Sequence, residues 1–431
     1  MAILLKNIKL YAPSHQLHEQ RTDILVDKGK ISEIGKDIAN DKANQLINGD
    51  ELSVSMGWTD LNCTLNEPGF EFKETISELC HSAAYGGFTD VAVMPNTYPT
   101  VDTAQAVNYI KQQANFQFVN LHPIGAFTKK AKGEELSEML DLRKAGVRVF
   151  SDGSDQMGIN VAFGRALRYL QPFNGLLMCY PEEKDLSQGG HMHEGKVSTL
   201  MGMKGIPAIA EEVAIMKALK LLGYYGGKLH FSTVSTAGAI DQIREAKKRG
   251  LDVTCDAAAY QIAFSDQAMV DFDTYLKVMP PFRTAADNEA IIAGLKDGTV
   301  DALVSNHRPQ DIESKQLEFD LADYGIVSLP SAFAIANTHL KDVLGTAKLI
   351  EKIALAPRKL LALPHKIAEG EAATLTIFHE DMEWVLSKED LDSRALNSPF
   401  FGKKMKGKAL GIINGEKLSF SKELKAAYLS K

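Results

Sequence analysis

The residue types most able to do chemistry follow apolar runs of this chain, at points where buried strands would end. They are amides, hydroxyls, one carboxylate and one imidazole: Asn62, Thr64, Asn96, Asp152, Tyr180, Thr233, Tyr260, Gln261, Asn306 and His307. Asp152 and His307 are the good proton carriers of this set, whereas His230 and Asp256 lie further back within their strands. Such a set could bind a polar ligand, but it offers no evident nucleophile with a base beside it.

The elements that must position these residues can be read from the alternation of short apolar runs and amphipathic stretches between about residues 52 and 345. The predicted strands are Ser53–Leu61, Phe88–Met94, Val119–Phe127, Gly146–Asp152, Gly175–Tyr180, Lys228–Val234, Leu251–Ala257 and Val300–Ser305. Their number and spacing favour a closed (β/α)8 barrel over an open sheet, and such a barrel collects the residues that follow its strands at one mouth.

Helices between the strands are predicted from three-to-four spacing of apolar residues. One starts after Pro207 and carries Ile209, Val213 and Met216, and another runs from Ala237 to Arg249. We expect the apolar stripes of these helices to pack into the core.

Both chain ends differ from the central region, because they contain short strand-like pieces separated by polar turns. The pieces are Ile3–Leu5, Ile24–Val26, Ile31–Ile34, Ala373–Phe378, Trp384–Leu386 and Leu410–Ile413. The simplest assembly is one composite β domain made of residues 1–51 and 366–431, with a barrel domain of residues 52–365 inserted between them. The predicted fold class is therefore α/β, a TIM barrel with a small β domain.

Two further patterns could carry a function. His191 and His193 have the spacing of a metal-binding pair, but they lie in a glycine-rich stretch without an acid in a fixed element, so we expect a solvated loop. The lysine-rich run 403–408 could dock an acidic partner, although a solvated charged face is the usual explanation. At the barrel mouth, His307 is expected to be a hydrogen-bonded structural histidine, and Asp152 to bond the turn Gly153-Ser154.

Composition excludes several classes of function. The chain has 431 residues, of which 45% are hydrophobic and 24% charged, and a formal net charge of -7, which argues against disorder, membrane spans and attraction to nucleic acid or anionic lipid. The apolar run before Lys6 is too short for a signal peptide. The four cysteines are spaced singly, as expected for reduced thiols of a cytoplasmic protein.

Segments along nearly the whole chain match one known family in order. They are Met56–Thr75, Gly86–Thr97, His193–Gly195, Gly205–Val213, Val234–Gly238, Pro280–Arg283, Leu295–Ala302 and Pro399–Gly402. These segments resemble the dihydroorotases, cyclic amidohydrolases of pyrimidine biosynthesis. The resemblance implies the amidohydrolase type of TIM barrel with a composite β domain.

The resemblance also implies a binuclear zinc site, and the residues at its positions depart from the family. The family's zinc ligands are two histidines after strand one, an acid after strand four and one histidine after each of strands five and six. In that order, their positions in this chain hold Asn62, Thr64, Asp152, Tyr180 and Thr233. The position of the family's catalytic aspartate holds Asn306. Zinc favours thiolate, imidazole and carboxylate donors, and an amide cannot take up and pass on a proton. We therefore expect no zinc, no other cofactor and no intact catalytic residue.

Substrate recognition is expected to differ as well. The family arginine that holds the substrate carboxylate corresponds to Asn66, and the other ligand-binding positions implied by the resemblance are Asn96, Met279, His307 and Gln310. Without a guanidinium at position 66, the pocket is expected to prefer a neutral cyclic amide or imide, or to stay empty.

Three hypotheses follow. The first is a zinc-free pseudoenzyme with a structural or regulatory role in pyrimidine biosynthesis, assembled with aspartate transcarbamoylase, as inactive family members are, or with itself. The second is an active dihydroorotase that interconverts carbamoyl-aspartate and dihydroorotate with a site rebuilt around Asp152, His307 and His193. The third is another cyclic amide hydrolase or a sensor of a small neutral ligand.

Overall fold

A ring of eight parallel strands forms the centre of the protein in the computed structural model, which describes residues 2–153, 159 and 161–430. In chain order the barrel strands are Trp58–Cys63, Phe88–Val93, Asn120–Pro123, Val149–Phe150, Leu176–Cys179, Lys228–Phe231, Val253–Ala258 and Ala302–Val304. Each pairs in parallel with the next, and bridges between Gly125 and Phe150 and between Cys63 and His307 complete the ring. The predicted (β/α)8 barrel is confirmed, although its fourth strand is shorter than expected.

Helices surround this ring. Those of ten or more residues are Ile76–Tyr85, Ala104–Ala114, Val161–Leu170, Ala208–Tyr225, Ala237–Lys248, Ala285–Asp297 and Ala332–Leu344. Shorter helices include Met139–Lys144, Lys184–Ser187, Lys196–Leu200, Ile312–Lys315, Thr346–Ile350, Ala356–Leu360 and Lys422–Ala427. None of the helices among the described residues combines the length and the apolar character that crossing a membrane requires.

The expectation that the helical stripes pack into the core is correct for one helix and wrong for another. Ile240 and Ile243 are fully buried, whereas Ile209 is 54% exposed and Met216 is 49% exposed. The helix Ala208–Tyr225 has apolar residues around most of its circumference, and its buried face contains Ala210, Ile215 and Leu222 instead. A helical period alone does not say which of two apolar faces is buried.

Strands from both chain ends form one sheet, which is the composite β domain. They are Ile3–Tyr11, Arg21–Asp27, Lys30–Gly35, Gln45–Asn48, Ser53–Met56, Thr374–Val385, Lys404–Asn414, Lys417–Phe420 and Leu429–Ser430. The two ends meet at Ser53–Met56, which pairs in parallel with the first strand and antiparallel with Thr374–Val385.

The predicted strand Ser53–Leu61 is therefore wrong as one element, because it is two strands in two different sheets. Gly57 separates them, and a Cβ atom at this position would lie 2.2 Å from the Thr89 hydroxyl oxygen. Only glycine allows the chain to pass from the composite sheet into the barrel at this distance.

A buried ion pair fixes the barrel against the short helix Ala356–Leu360. Arg358 Nη1 lies 2.7 Å from Asp90 Oδ2 and also donates to the Gly57 carbonyl at 3.2 Å. Asp90 Oδ1 lies 2.8 Å from His122 Nε2. Burial alone would raise the pKa of Asp90, but the His122 hydrogen bond and the Arg358 charge hold it well below its ordinary value.

Replacing Arg358 with Met should lower the free energy of unfolding at pH 7 by about 3–5 kcal/mol, because it leaves the Asp90 charge buried without its main partner. The double variant Asp90→Asn with Arg358→Met should recover part of the lost free energy of unfolding. Folding lowers the pKa of Asp90, so the stabilisation by its ionised form is present above about pH 4 and is lost as the pH falls further. The Arg358→Met variant should therefore lose less stability in acid than the unchanged protein.

Urea unfolding at several pH values measures these effects. The matched control is Arg244→Met, which removes a partly exposed arginine from Asp241 and Asp297 and should cost at most about 1 kcal/mol. Equal losses for the two arginine variants would contradict the stabilising role of the buried pair.

Candidate functional site

The carboxyl ends of the barrel strands surround a cavity of about 240 Å³. Its polar lining, among the described residues, consists of amides, hydroxyls and two cationic side chains: Asn62, Asn66, Asn96, Asn306, Gln310, Thr64, Ser151, Tyr180, Ser232, Lys73 and Arg308. Met279 and Phe70 belong to its apolar part. The structure thus brings together most of the predicted site residues, while Asp152, Thr233 and His307 are buried outside the lining.

Asp152, the one carboxylate at the predicted metal positions, is hydrogen-bonded to Thr128. Its Oδ1 accepts from the Thr128 backbone N–H at 3.0 Å and its Oδ2 from the Thr128 hydroxyl at 2.5 Å. Burial raises the pKa of Asp152 to about 6, although the Thr128 bonds oppose this. The expected bond to the turn Gly153-Ser154 is not found at Gly153, whose N–H donates to Ser151, and Ser154 lies outside the described residues.

At the other predicted metal positions, the Asn62 side chain and the backbone N–H groups of Thr64 and Thr233 bond to other parts of the protein, whereas the buried Thr233 hydroxyl has no hydrogen-bond partner among the described residues. Asn62 Nδ2 donates to the Ser232 hydroxyl at 3.0 Å, and the Thr64 backbone N–H donates to the His307 carbonyl at 2.8 Å. Burial raises the pKa of Tyr180 far above its ordinary value, so the phenol keeps its proton. Thr233 adopts a φ of +55°, and its backbone N–H donates to Asp256 at 2.6 Å.

These donors do not fit a zinc ion. Among the described residues, no group of three or more His, Cys, Asp or Glu side chains is placed to hold a metal ion. Zinc is usually held by at least three such ligands. The groups present are weak donors for zinc, namely an amide, two hydroxyls, a protonated phenol and a carboxyl bonded to Thr128.

Asn306 lies at the position that the resemblance assigns to the catalytic aspartate. Its amide nitrogen donates to the Tyr260 hydroxyl at 2.6 Å and to the Met279 carbonyl at 3.0 Å. Both N–H groups are therefore used, and an amide has no basic lone pair for a proton transfer. This geometry holds the side chain in place as a polar wall of the cavity.

His307 has an acidic partner that the sequence analysis missed. Its Nε2 lies 3.1 Å from Glu74 Oε1, and its Nδ1 accepts from the backbone N–H of Ser328 at 3.3 Å. Both side chains are almost completely buried, so the ring is held from both sides, as expected of a structural histidine. Nothing in the sequence pattern pairs two residues that are 233 positions apart, although Glu74 stands directly before the helix cap Thr75.

The expectation of a solvated loop at His191 and His193 is wrong for the second histidine. Met192–His193 is a short buried strand paired with Gly205–Ile206, and Arg283 Nη1 lies 3.3 Å from His193 Nδ1. Burial and the charge of Arg283 lower the pKa of His193. A guanidinium at the ring nitrogen argues against a metal pair here.

Three of the four lysines in the run 403–408 pair with carboxylates of the protein itself. Lys404 pairs with Glu383 at 2.5 Å, Lys406 with Asp381 at 2.9 Å, and Lys408 with a glutamate of the C-terminal helix at 2.7 Å. This arrangement matches a charged surface more than a site for an acidic partner.

Comparisons with known proteins agree with this architecture. Residues 53–239 match the family model described as dihydro-orotase-like. A dihydroorotase of Acetivibrio thermocellus is 41% identical over 91% of this chain and 93% of its own length. A dihydroorotase of Syntrophus aciditrophicus is 36% identical over 95% of this chain and 97% of its own.

Solved structures of hydantoinases share the fold. The L-hydantoinase of Arthrobacter aurescens superposes with a TM-score of 0.86 at 21% identity, covering 97% of this chain and 96% of that one. A D-hydantoinase superposes with a TM-score of 0.83 at 19% identity, covering 98% and 95% of the two chains. At such identities the structures establish only the fold, whereas the relatives that are 36–41% identical over most of the chain establish the family. The chain belongs to the dihydroorotase family.

Proposed function

We propose that this chain is a dihydroorotase-like protein of pyrimidine biosynthesis whose barrel pocket binds a small molecule without zinc-dependent hydrolysis, and that its role is structural or regulatory. The observation that supports this proposal is the donor set at the family's metal and acid–base positions. Asp152 is bonded to Thr128, and Asn306 donates both of its amide hydrogens to other groups.

Hydrolysis of a cyclic amide places demands that these side chains meet poorly. The scissile carbonyl must be polarised, a water must be activated, and a proton must reach the leaving nitrogen. Tyr180 keeps its proton because burial raises its pKa, and Asn306 cannot carry one. What the lining can do is donate and accept hydrogen bonds, which orients a ligand but moves no proton.

A second candidate function is dihydroorotase activity with a rebuilt site. The comparisons by themselves favour it, since relatives named dihydroorotase are 36–41% identical over at least 90% of this chain. The His307–Glu74 pair would be its acid–base group. Against it stands the engagement of both ring nitrogens of His307 with protein groups.

Direct measurement of metal and turnover separates the two candidates. Protein purified without chelator should carry substoichiometric zinc and convert neither carbamoyl-aspartate nor dihydroorotate above background, because loss of general acid–base catalysis alone costs about 10²–10⁴-fold in rate. The Acetivibrio thermocellus dihydroorotase, assayed in parallel, is the positive control. Stoichiometric zinc together with turnover would establish the second candidate, and zinc with turnover of a different cyclic amide would indicate another hydrolase.

Restoring the family's donors should restore metal binding. A variant that combines Asn62→His, Thr64→His, Tyr180→His and Thr233→His should bind zinc stoichiometrically after incubation with the metal, because three or more imidazoles then face one carboxylate. The Asn306→Asp variant alone should gain neither zinc nor activity. Turnover by Asn306→Asp alone would show that the other positions are not limiting and would contradict the proposal.

Assembly with aspartate transcarbamoylase belongs to the proposal as its structural role. Coexpression of the two proteins from the source organism should yield one complex by size-exclusion chromatography with light scattering, at concentrations of about 1 μM. The matched control is the same transcarbamoylase with the Acetivibrio thermocellus dihydroorotase. Separate elution of the two partners at every concentration tested would rule out the assembly role, and a larger species of this chain alone would indicate a homo-oligomer.

A further inference from the structure

The first barrel helix, Ile76–Tyr85, turns a polar face toward the composite β domain. Residues three or four positions apart share a face of a helix, and one face of this helix carries Glu78, His81, Ser82 and Tyr85. Leu79 and Ala83 lie on another face and belong to the hydrophobic core. The polar face is therefore not needed for packing against the barrel.

A cavity of about 200 Å³ lies between this helix face and the composite sheet. Its lining comes from the helix, from the loop before the strand Lys404–Asn414, and from the sheet itself. The helix and the loop contribute its main polar groups, which are His81, Ser82, Tyr85, Asp390 and Asp392. The described residues that line it are all different from those that line the barrel-mouth cavity. Small-molecule sites occur preferentially at such domain interfaces.

Two buried hydroxyl groups at this cavity lack a partner. Ser82 is only 3% exposed, and neither its Oγ nor the Tyr85 Oη has a hydrogen-bond partner among the described residues. A serine inside a helix can bond the carbonyl four residues before it, but Ser82 does not make this bond. A buried polar group without a partner is costly, so two of them at one cavity indicate a ligand that completes their hydrogen bonds.

The charge of the lining disfavours an anion. Asp390 and Asp392 contribute carboxylates, and within the described part of the chain no lysine or arginine belongs to the lining. Asp390 accepts the Ser387 backbone N–H and hydroxyl on the same oxygen, Oδ2, so its Oδ1 is open to a further donor. Asp392 lies 3.6 Å from His81 Nδ1 and its side chain is 85% exposed, so this contact is weak.

The neighbouring cation does not offset these carboxylates. Lys408 Nζ lies 5.6 Å from the centre of the Tyr85 ring, but it pairs with Glu423 at 2.7 Å. Burial and the charges of Asp390 and Glu423 raise the pKa of Tyr85 well above its ordinary value, so the phenol keeps its proton. A metal ion is also a poor fit, because no described group of three or more His, Cys, Asp or Glu side chains is placed to hold one. The charges thus favour an organic cation.

The size and the apolar surface of the cavity define this cation further. At about 200 Å³ the cavity is smaller than the roughly 300–1,000 Å³ pockets that hold drug-sized molecules. Leu391, Leu410 and Phe420 line it with carbon atoms, which suits a short alkyl chain. An ammonium group has three donors, and its hydrogen bonds to a carboxylate are stronger than neutral ones.

We propose that this cavity binds a small alkylammonium ion, whose charge pairs with Asp390 and whose ammonium hydrogens are accepted by the hydroxyls of Ser82 and Tyr85. The site is separate from the barrel mouth, so it does not depend on whether the barrel mouth hydrolyses a substrate. A bound ion would join the first barrel helix to the loop of the composite β domain. Because such a ligand binds the folded protein, it should raise the midpoint of thermal unfolding.

Calorimetric titration of the full-length protein at pH 7 tests the proposal. The probes n-butylamine, n-butanol and butyrate share a short carbon chain and differ in charge, and the amine is protonated at this pH, as a lysine side chain is. Butylamine should bind at least about tenfold more tightly than either of the other two. Equal affinity for the three probes, tighter binding of butanol or butyrate, or binding of none would overturn the proposal.

Variants of the two hydroxyls place the ligand in the cavity. Ser82→Ala and Tyr85→Phe should each weaken butylamine binding several-fold without lowering the midpoint of thermal unfolding, because neither hydroxyl has a partner to lose. The matched control is Ser137→Ala. The Ser137 hydroxyl donates to the Ala126 carbonyl at 2.6 Å, so this variant should lower the midpoint and leave butylamine binding unchanged. Unchanged binding in both hydroxyl variants, or a lowered midpoint in both, would overturn the proposal.

A charge variant tests the pairing with the carboxylate. Asp390→Asn keeps an oxygen for the Ser387 bonds but removes the charge, so the preference for butylamine over butanol should fall about tenfold. Asp271→Asn, at an exposed position outside the lining, is the control for a general change in charge and should keep the full preference. An undiminished preference in Asp390→Asn, or an equal decrease in the two variants, would overturn the proposal.

Discussion

Closure of the parallel barrel between its first and last strands is the constraint on which the site depends. The bridge between Cys63 and His307 joins these strands, and the buried Asp60 accepts from the Ser305 backbone N–H at 2.8 Å and from the Ser305 hydroxyl at 2.5 Å. Burial raises the pKa of Asp60 to about 7, although these hydrogen bonds lower it. This seam fixes the position of Asn306 relative to the residues after strand one, and so it sets the shape of the cavity.

Around that closed mouth, several polar side chains bond to other groups of the protein. Asp152 is bonded to Thr128, and Asn62 to Ser232, while Asn306 bonds a tyrosine and a backbone carbonyl. Each bond connects different segments of the barrel mouth. Buried polar groups need partners, and for Asp152, Asn62 and Asn306 hydroxyls and backbone groups provide them. The fold can therefore keep the family's barrel geometry with a different set of donors.

Much of this architecture could be predicted from the sequence, because strand spacing and turn residues are local signals. The barrel and the composite sheet follow from them, but the division of Ser53–Leu61 at Gly57 depends on contact with Thr89, which no local pattern encodes. The partners of His307 and Lys73 were missed for the same reason, since Glu74 and Asp323 are far from them in the chain.

Binding and hydrolysis place different demands on such a cavity. Binding needs groups that complement the ligand in its ground state, and the amides and hydroxyls that line the cavity can donate and accept hydrogen bonds. Rate enhancement needs interactions that strengthen only in the transition state, which for amide hydrolysis means proton carriers and a polarising group. The positions that the resemblance assigns to metal ligands and to the catalytic aspartate serve the second demand, whereas Asn96 and the hydroxyls of the lining serve the first. Ligand binding and hydrolysis can therefore change independently of each other, because the two properties depend on different side chains.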